Sequence, residues 1–137
     1  IYRSNQAWYP GADQDDTARG DAIQFSYGVR NFWVHHNNLD RSDTGNKFCF
    51  HTGGTAYKGI IEYNIFSGPI DTSFGGSQMY IEDLAQAIVR YNTFNAPAPW
   101  VIYNAGNSNV QVYSNTFNGL SRDKFTSNLN MYDNTFN

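Results

Sequence analysis

The segment NFWVHHNNLD, residues 31–40, contains a frame that returns four more times along the chain. The later copies are GIIEYNIFSG (59–68), AIVRYNTFNA (87–96), VQVYSNTFNG (110–119) and LNMYDNTFN (129–137). Each copy has an asparagine, with an aliphatic residue or methionine three places before it and a leucine or phenylalanine two places after it. The asparagines are Asn37, Asn64, Asn92, Asn115 and Asn134, separated by 27, 28, 23 and 19 residues. Such a repeat is typical of proteins that stack one small unit on the next.

Period-two alternation without a helical pattern predicts an all-β fold in which parallel strands coil, each turn stacked on the last. A second strand precedes each asparagine-bearing one, at 22–26, 47–52, 78–83, 100–105 and 124–127, giving about five turns of three short strands. Asparagine tolerates the left-handed backbone of a sharp bend, and its amide can bond to the asparagine one turn away. We therefore expect an asparagine ladder at one bend. The alternative is a sandwich or barrel of antiparallel hairpins, which favours Asn-Gly or Asp-Gly turns, and Asn118-Gly119 is the only such pair.

Length and composition limit the class of protein. The 137 residues suffice for one domain, 1–137, and a net charge of -3 provides no positive field for a nucleic-acid backbone. Aromatic residues make up 17% of the chain and asparagine occurs 17 times, which argues against disorder and against long helices. No apolar run has the length of a membrane helix, so we predict no membrane insertion. Cys49 is the single cysteine, so an internal disulfide is excluded.

The ends of the sequence suggest a piece of a longer protein. Residues 1–3 resemble the tail of a preceding turn, and residues 134–137 stop in the middle of one. A coil cut in this way exposes apolar core and unpaired strand edges. We expect a fragment that lacks native caps, with further turns or partner chains at both open ends.

Residues 20–26 (GDAIQFS), followed by residues 31–37 (NFWVHHN), resemble the pectate lyase-like family, in which an acidic loop leads into strands and a W-I/V-x-H-N motif. Residues 95–100 (NAPAPW), continuing to 110–115 (VQVYSN), are similar to the family's closing turn. The resemblance implies a right-handed parallel β-helix that acts on polysaccharides. It also implies a location outside the cell or at the cell surface.

The same resemblance implies a chemistry. In the family, aspartate-bound calcium neutralises the substrate carboxylates, and an arginine of an Arg-x-Pro-x-x-Arg run removes a proton. The acidic loop is retained here, so the candidate calcium ligands are Asp13, Asp15, Asp16 and Asp21. The next turn, 51–55 (HTGGT), adds no aspartate, and Asn95 and Trp100 flank Pro97 where the arginine run would stand. We therefore expect polysaccharide binding in place of standard pectate lyase catalysis.

Strand parity predicts which side chains of the strand preceding each asparagine-bearing strand face outward. With Phe25, Phe50, Ile81 and Tyr103 among the inward residues, three outward columns follow: Ser26, His51, Glu82, Asn104; Gln24, Cys49, Tyr80, Ile102; and Ala22, Lys47, Gln78, Trp100. The candidate catalytic residues are His51, Glu82, Tyr80 and Lys47, and the candidate substrate-binding residues are Trp100, Tyr80, Lys47, Gln78 and Asn104. Aromatic rings would stack on sugars, Lys47 would pair with a carboxylate, and His51 or Tyr80 would move a proton. The bland alternative is a solvated sheet on which His51 and Glu82 form an ordinary polar pair.

The asparagine-bearing strands have outward residues of their own. One predicted column contains His35, Glu62, Arg90, Tyr113 and Tyr132. We interpret Glu62 and Arg90 as a surface ion pair, which contributes little to stability. A second column, Trp33, Ile60 and Ile88, forms an apolar strip that a loop, a missing segment or a partner could cover.

Functions of different classes fit this pattern. The prediction from sequence is an extracellular carbohydrate-interacting β-helix that binds polysaccharide. One alternative is an active polysaccharide lyase or glycoside hydrolase on acidic glycans. A further alternative is a structural shaft of an adhesin, a surface fibre or a phage spike. Calcium is the only cofactor that the sequence suggests.

Overall fold

The computed structural model describes residues 2–3, 6–8, 23–26, 29–40, 48–53, 56–67, 77–81, 84–95, 100–105, 109–120 and 125–137. Within these residues all regular structure is β. The strands are β1 (Tyr2–Arg3), β2 (Gln6–Trp8), β3 (Ile23–Ser26), β4 (Phe32–His35), β5 (Asn38–Asp40), β6 (Phe48–Gly53), β7 (Ala56–Glu62), β8 (Ile65–Ser67), β9 (Ser77–Ile81), β10 (Leu84–Arg90), β11 (Thr93–Asn95), β12 (Trp100–Asn104), β13 (Asn109–Tyr113), β14 (Thr116–Asn118), β15 (Leu129–Tyr132) and β16 (Thr135–Phe136). A search of the same residues finds no apolar helix of membrane-spanning length.

The strands form three sheets, and every pairing among them is parallel. The first sheet has the order β1-β4-β7-β10-β13-β15, the second β2-β5-β8-β11-β14-β16, and the third β3-β6-β9-β12. From β3 to β14 the chain visits the third, first and second sheets in rotation. An all-β fold with parallel sheets is thus confirmed, and antiparallel hairpins are excluded for the described strands.

The five asparagines of the repeat line the bend between the first and second sheets, as predicted. The carboxamide oxygens of Asn64, Asn92, Asn115 and Asn134 each accept from the backbone N–H and the side-chain amide of the asparagine one repeat earlier, as in the bonds from Asn64 to Asn92 at 3.0 Å. The Asn92 amide also donates to the carbonyls of Ile61 and Arg90. Asn37, Asn64, Asn92 and Asn115 are almost fully buried, so these bonds satisfy backbone groups that water does not reach.

The left-handed residue at this bend differs from the prediction. It is the residue before each asparagine that has positive φ, between 51° and 56°, at His36, Tyr63, Tyr91, Ser114 and Asp133. The asparagine itself contributes its side-chain hydrogen bonds. Those bonds hold a backbone conformation that costs a non-glycine residue about 1–2 kcal/mol. The predicted bend is therefore confirmed. The left-handed conformation was assigned to the asparagine, and that assignment was wrong by one residue.

The core lies between the three sheets and consists of columns of like side chains. In the first sheet Val34, Ile61, Val89 and Val112 are in register and fully buried, whereas Met131 on the edge strand β15 is only partly buried. In the second sheet the rings of Phe66, Phe94 and Phe117 stack at centroid distances of 4.7 and 4.9 Å. Each strand contributes one side chain to each column, and the stacked columns fill the interior between the sheets.

Gly59 and Gly119 disfavour a larger side chain for different physical reasons. A Cβ on Gly59 would lie 2.0 Å from Cζ of Phe32, because the phenyl ring on β4 covers the glycine on β7. The Phe32 ring also stacks on the ring of Phe25, with the two ring centroids 4.6 Å apart. Gly119 has open space around it, but its φ of 67° lies in the left-handed region.

The register of β12 corrects one prediction. Ile102 pairs with Met79 and is fully buried, and Tyr103 pairs with Tyr80 on the outer side. The outward position expected for Ile102 and the inward position expected for Tyr103 are therefore wrong. Val101 is fully buried as well, so the β12 segment is apolar on both faces and has no alternation to read.

Candidate functional site

The face predicted to hold the catalytic groups is the outer side of the third sheet. The strand register places His51, Tyr80 and Tyr103 in one column. The rings of Tyr80 and Tyr103 stack at 5.3 Å with an interplanar angle of 12°. Lys47, Glu82 and the candidate calcium ligands Asp13, Asp15, Asp16 and Asp21 lie outside the described residues, as do the side chains of His51 and Trp100. The column that contains His51 is therefore different from the predicted one, which grouped His51 with Glu82 and Asn104.

Gln78 and Asn104, two candidate substrate-binding residues, are buried. Gln78 has no exposed surface, and its Nε2 donates to the carbonyl of Asn95 at 3.0 Å. This bond ties the third sheet to the end of β11 in the second sheet. Asn104 is 4% exposed and pairs in register with Ile81, an inward residue, so its expected outward position is wrong. Neither residue therefore lies on an exposed surface that could contact a polysaccharide directly.

The first sheet has a groove of about 380 Å³ on its outer face. It crosses β4, β7, β10 and β13, which are neighbours in the sheet. Two rows of side chains, one residue per strand, border it: a polar row of Asn31, Lys58, Gln86 and Asn109, and a second row of Trp33, Ile60, Ile88 and Gln111. We call this feature the first-sheet groove.

The floor of this groove follows from strand parity. Between the outward residues of the two rows stand inward residues, among them Phe32, Gly59 and Ala87. Because these side chains point toward the core, the floor between the two rows is formed largely by backbone. The outer face of the sheet therefore has a shallow trough between two ridges of side chains.

Trp33 is held against the groove by a buried carboxylate. Its indole Nε1–H donates to Oε1 of Glu62 at 2.9 Å, and the Nε–H of Arg90 donates to Oε2 of Glu62 at 2.6 Å. The imidazole of His35 stacks on the indole at 4.1 Å. Trp33 is nevertheless 40% exposed, so the ring is fixed and accessible at once. A side chain that is fixed before binding loses less conformational entropy when a ligand arrives.

Arg90 links this arrangement to the next strand. Its Nη1 donates to the Tyr113 hydroxyl at 3.2 Å, and the ring of Tyr113 stacks on Tyr132 at 4.9 Å. The hydrogen bonds with Tyr113 and with Glu62 raise the pKa of Arg90 above its usual value, so the guanidinium stays charged. Glu62 is only 5% exposed, and a buried carboxylate requires such a partner. The predicted surface ion pair is therefore half buried and has a positioning role.

Exposed aromatic rings at the bend have another geometry. Tyr63 and Tyr91 are 49% and 44% exposed, and their rings stack on each other at 5.1 Å with an angle of 15°. His36 continues the stack on Tyr63 at 5.2 Å. Because each ring faces its neighbour, the stack presents ring edges to solvent. These side chains stabilise the bend and offer a ligand less flat surface than Trp33 does.

The chemistry of the first-sheet groove favours binding over proton transfer. Both oxygens of Glu62 already accept hydrogen bonds, which makes this carboxylate a poor general base. In the described part of the chain no three His, Cys, Asp or Glu residues cluster in a way that could hold a metal ion. The groove instead offers amides and one ammonium group beside an indole and two isoleucines.

Sequence reasoning found half of this groove. It identified Trp33, Ile60 and Ile88 as an apolar strip but missed the polar row. The signal was available, because Lys58, Gln86 and Asn109 stand two residues before Ile60, Ile88 and Gln111 and share their parity.

Comparison with known proteins leaves the geometry as the main guide to function. No family model matches the chain, and neither a curated protein nor a solved structure matches it.

Proposed function

We propose that this chain is a right-handed parallel β-helix that binds polysaccharide through the first-sheet groove, outside the cell or at its surface. The rotation of the chain through three parallel sheets supports the coil. Right-handedness is supported by the strong preference of crossover connections between parallel strands for that hand. The resemblance of residues 20–37 to the pectate lyase-like family agrees with both.

The observation that carries the binding function is the placement of Trp33. Its ring borders the groove, fixed by Glu62 and backed by His35. Sugar rings present C–H groups on their faces, which pack on an indole, and hydroxyl groups on their rim, which bond to amides. The groove provides an indole on one side and amides on the other. Apolar walls with a few polar groups are the usual composition of a ligand site.

The main alternative is catalysis on the third sheet. His51 and Tyr80 are neighbours in register, and a histidine beside a tyrosine is a plausible pair for proton transfer. This alternative makes a different prediction, because a lyase acting on uronate chains produces an unsaturated product that absorbs ultraviolet light. A structural shaft would neither bind nor cleave.

The test is retention on polysaccharides of stated type. The chain is incubated with insoluble cellulose, xylan and chitin and with immobilised pectate and alginate, and ultraviolet absorbance and reducing ends are followed in parallel. We expect retention on at least one polymer without product. Trp33→Ala should weaken retention about tenfold or more, since truncation of a principal aromatic contact typically costs about 2 kcal/mol.

Ile65→Ala is the matched control. Ile65 is 43% exposed, close to the 40% of Trp33, but lies on the second sheet away from the groove. It should leave retention unchanged. Retention on none of the polymers contradicts the proposal, and equal loss in both variants contradicts the choice of site. New double bonds, abolished by His51→Ala, would establish the lyase alternative.

A further inference from the structure

The direction of the first-sheet groove bears on the shape of its ligand. The long axis of the groove runs across the strands, because each row takes one residue from β7, β10 and β13 and one from β4 or, for Asn31, from the position just before it. Neighbouring strands lie about 4.8 Å apart, so four strands span about 14 Å. That length fits roughly three pyranose units placed end to end along the stacking direction of the sheets.

The groove presents the same pair of surfaces at each of its first three steps. Asn31 and Trp33, Lys58 and Ile60, and Gln86 and Ile88 are each two residues apart, so the members of each pair stand side by side on the outer face of the sheet. Asn31, Lys58 and Gln86 are exposed, so their amides and ammonium are free to meet a ligand edge. A molecule lying along the groove therefore meets a hydrogen-bonding group on one side and an apolar group on the other, once per strand.

We infer that the groove takes an extended linear glycan with equatorial linkages, its axis perpendicular to the strands, over at least three sugar units; this inference rests on the proposed polysaccharide-binding function. A β-1,4-linked chain of sugars with equatorial hydroxyls has apolar ring faces and a polar rim that repeat at nearly the spacing of the strands. An α-1,4-linked glucan curves, so it departs from a straight trough after one or two sugars.

The two ends of the groove are unequal. The indole and its hydrogen-bonded support stand at the β4 end, and Gln111 replaces an apolar residue at the β13 end. The sugar over Trp33 should therefore contribute most of the affinity. Sugars over Ile60 and Ile88 add smaller increments, because an aliphatic side chain buries less ring surface than an indole.

Calorimetry with defined oligosaccharides tests this inference on the whole chain. The probes are glucose, cellobiose, cellotriose, cellotetraose and cellohexaose, the corresponding xylose oligomers, and maltohexaose as the α-linked counterpart. Affinity should rise at least tenfold from the monosaccharide to the trisaccharide of a β-linked series and then level off. Maltohexaose should bind at least tenfold more weakly than cellohexaose or xylohexaose.

One variant and its control locate the third sugar. Gln86→Ala should weaken cellotetraose or xylotetraose several-fold and leave the disaccharide nearly unchanged, because Gln86 lies two strands from Trp33. Thr116→Ala, on β14 of the second sheet, should change neither. Circular dichroism confirms that each variant is folded.

The outcomes separate the two proposals. If a polysaccharide is retained but the monosaccharide competes as well as the hexasaccharide, the extended-chain inference is wrong and the binding function stands. The inference is equally wrong if maltohexaose binds as well as its β-linked counterparts, or if pectate, whose linkages are axial, is retained while no β-linked oligomer binds. If no polysaccharide is retained at all, both the function and the inference fail.

Discussion

Four asparagines of the repeat are polar residues in a buried position: Asn37, Asn64, Asn92 and Asn115. Burial of an unpaired amide costs several kcal/mol, so each of these side chains must find partners. The ladder supplies them from the neighbouring asparagine and from two backbone carbonyls. Asn64, Asn92 and Asn115 thereby each complete the hydrogen bonding of the bend before them in the sequence, and no single copy can do so alone.

Replacing the central asparagine should be severe. In Asn92→Ala the backbone N–H and the amide of Asn64 lose their acceptor, and they remain buried. We expect a loss of about 3–5 kcal/mol in the free energy of unfolding, measured by urea denaturation, because each unsatisfied buried group costs about 1–3 kcal/mol. Thr93→Ala, the next residue but half exposed, should cost about 1 kcal/mol or less. A loss in Asn92→Ala as small as that expected for Thr93→Ala would show that the ladder is dispensable.

The contact between Gly59 and Phe32 gives a second prediction at this scale. Gly59→Ala forces the Phe32 ring away from the new methyl group, and we expect a cost of about 1–3 kcal/mol from overpacking. Adding Phe32→Leu should recover part of that cost, because the shorter side chain vacates the position. A double-mutant cycle in urea measures the coupling.

Gly119→Ala is the matched control for this cycle. A Cβ at position 119 meets no atom within 4 Å, so the substitution should lower the free energy of unfolding by about 1 kcal/mol through the positive φ alone. Combined with Phe32→Leu, it should be additive. Additivity at Gly59 as well would mean that the ring does not limit the residue there.

At the scale of elements, neighbouring strands of the first sheet cooperate through their outward side chains. Glu62 on β7 connects Trp33 on β4 with Arg90 on β10, so one carboxylate spans three strands. Cross-strand pairs of this kind stabilise a sheet, and here they also orient the indole. The groove therefore depends on a residue that does not line it.

Glu62 variants should separate stability from orientation. Glu62→Gln retains an oxygen for the Trp33 indole but weakens the bond with Arg90, so we expect a modest loss of stability, about 1–2 kcal/mol. Glu62→Leu removes both acceptors and should shift the Trp33 indole N–H resonance toward that of a mobile, solvated indole. An unchanged indole resonance in Glu62→Leu would mean that His35 alone positions the ring, and Trp33→Phe identifies the resonance.

The elements also show what a sequence can reveal. β4, β7, β10, β13 and β15 follow from the asparagine frame, because each alternates inward and outward residues. The inward and outward residues of β12 could not be assigned from the sequence, since Val101 and Ile102 are both fully buried. A further copy escaped notice: β1 and β2 place Tyr2 opposite Val34 and Ala7 opposite Leu39. Asn5, outside the described residues, thus shares the frame position of Asn37, and alanine instead of leucine or phenylalanine concealed it.

At the scale of the whole molecule, the candidate site depends on how neighbouring strands are aligned with one another. The all-β arrangement of parallel sheets could be predicted from one repeated frame, because stacking is the simplest way for such units to bury their apolar residues. The groove needs the registers of four strands, and a shift of one residue in any of them would send its side chains to the other face. Unequal spacings of 27, 28 and 23 residues hide those registers in the sequence.

The last prediction concerns how stability is distributed along the stack. In the parallel coil that we propose, each unit contacts only its neighbours, so units between two neighbours should open less often than units at an edge. Phe94 and Val89 are fully buried between neighbouring strands, whereas Leu129, Met131 and Phe136 on the edge strands β15 and β16 are only partly buried. Hydrogen exchange should therefore protect the amides of β7, β10 and β13 most, and protection should decline toward β15. Asn134→Ala should follow the same gradient and cost less than Asn92→Ala, because Asn134 is half exposed. Uniform protection across all strands of the first sheet would contradict nearest-neighbour stacking and indicate a single cooperative unit.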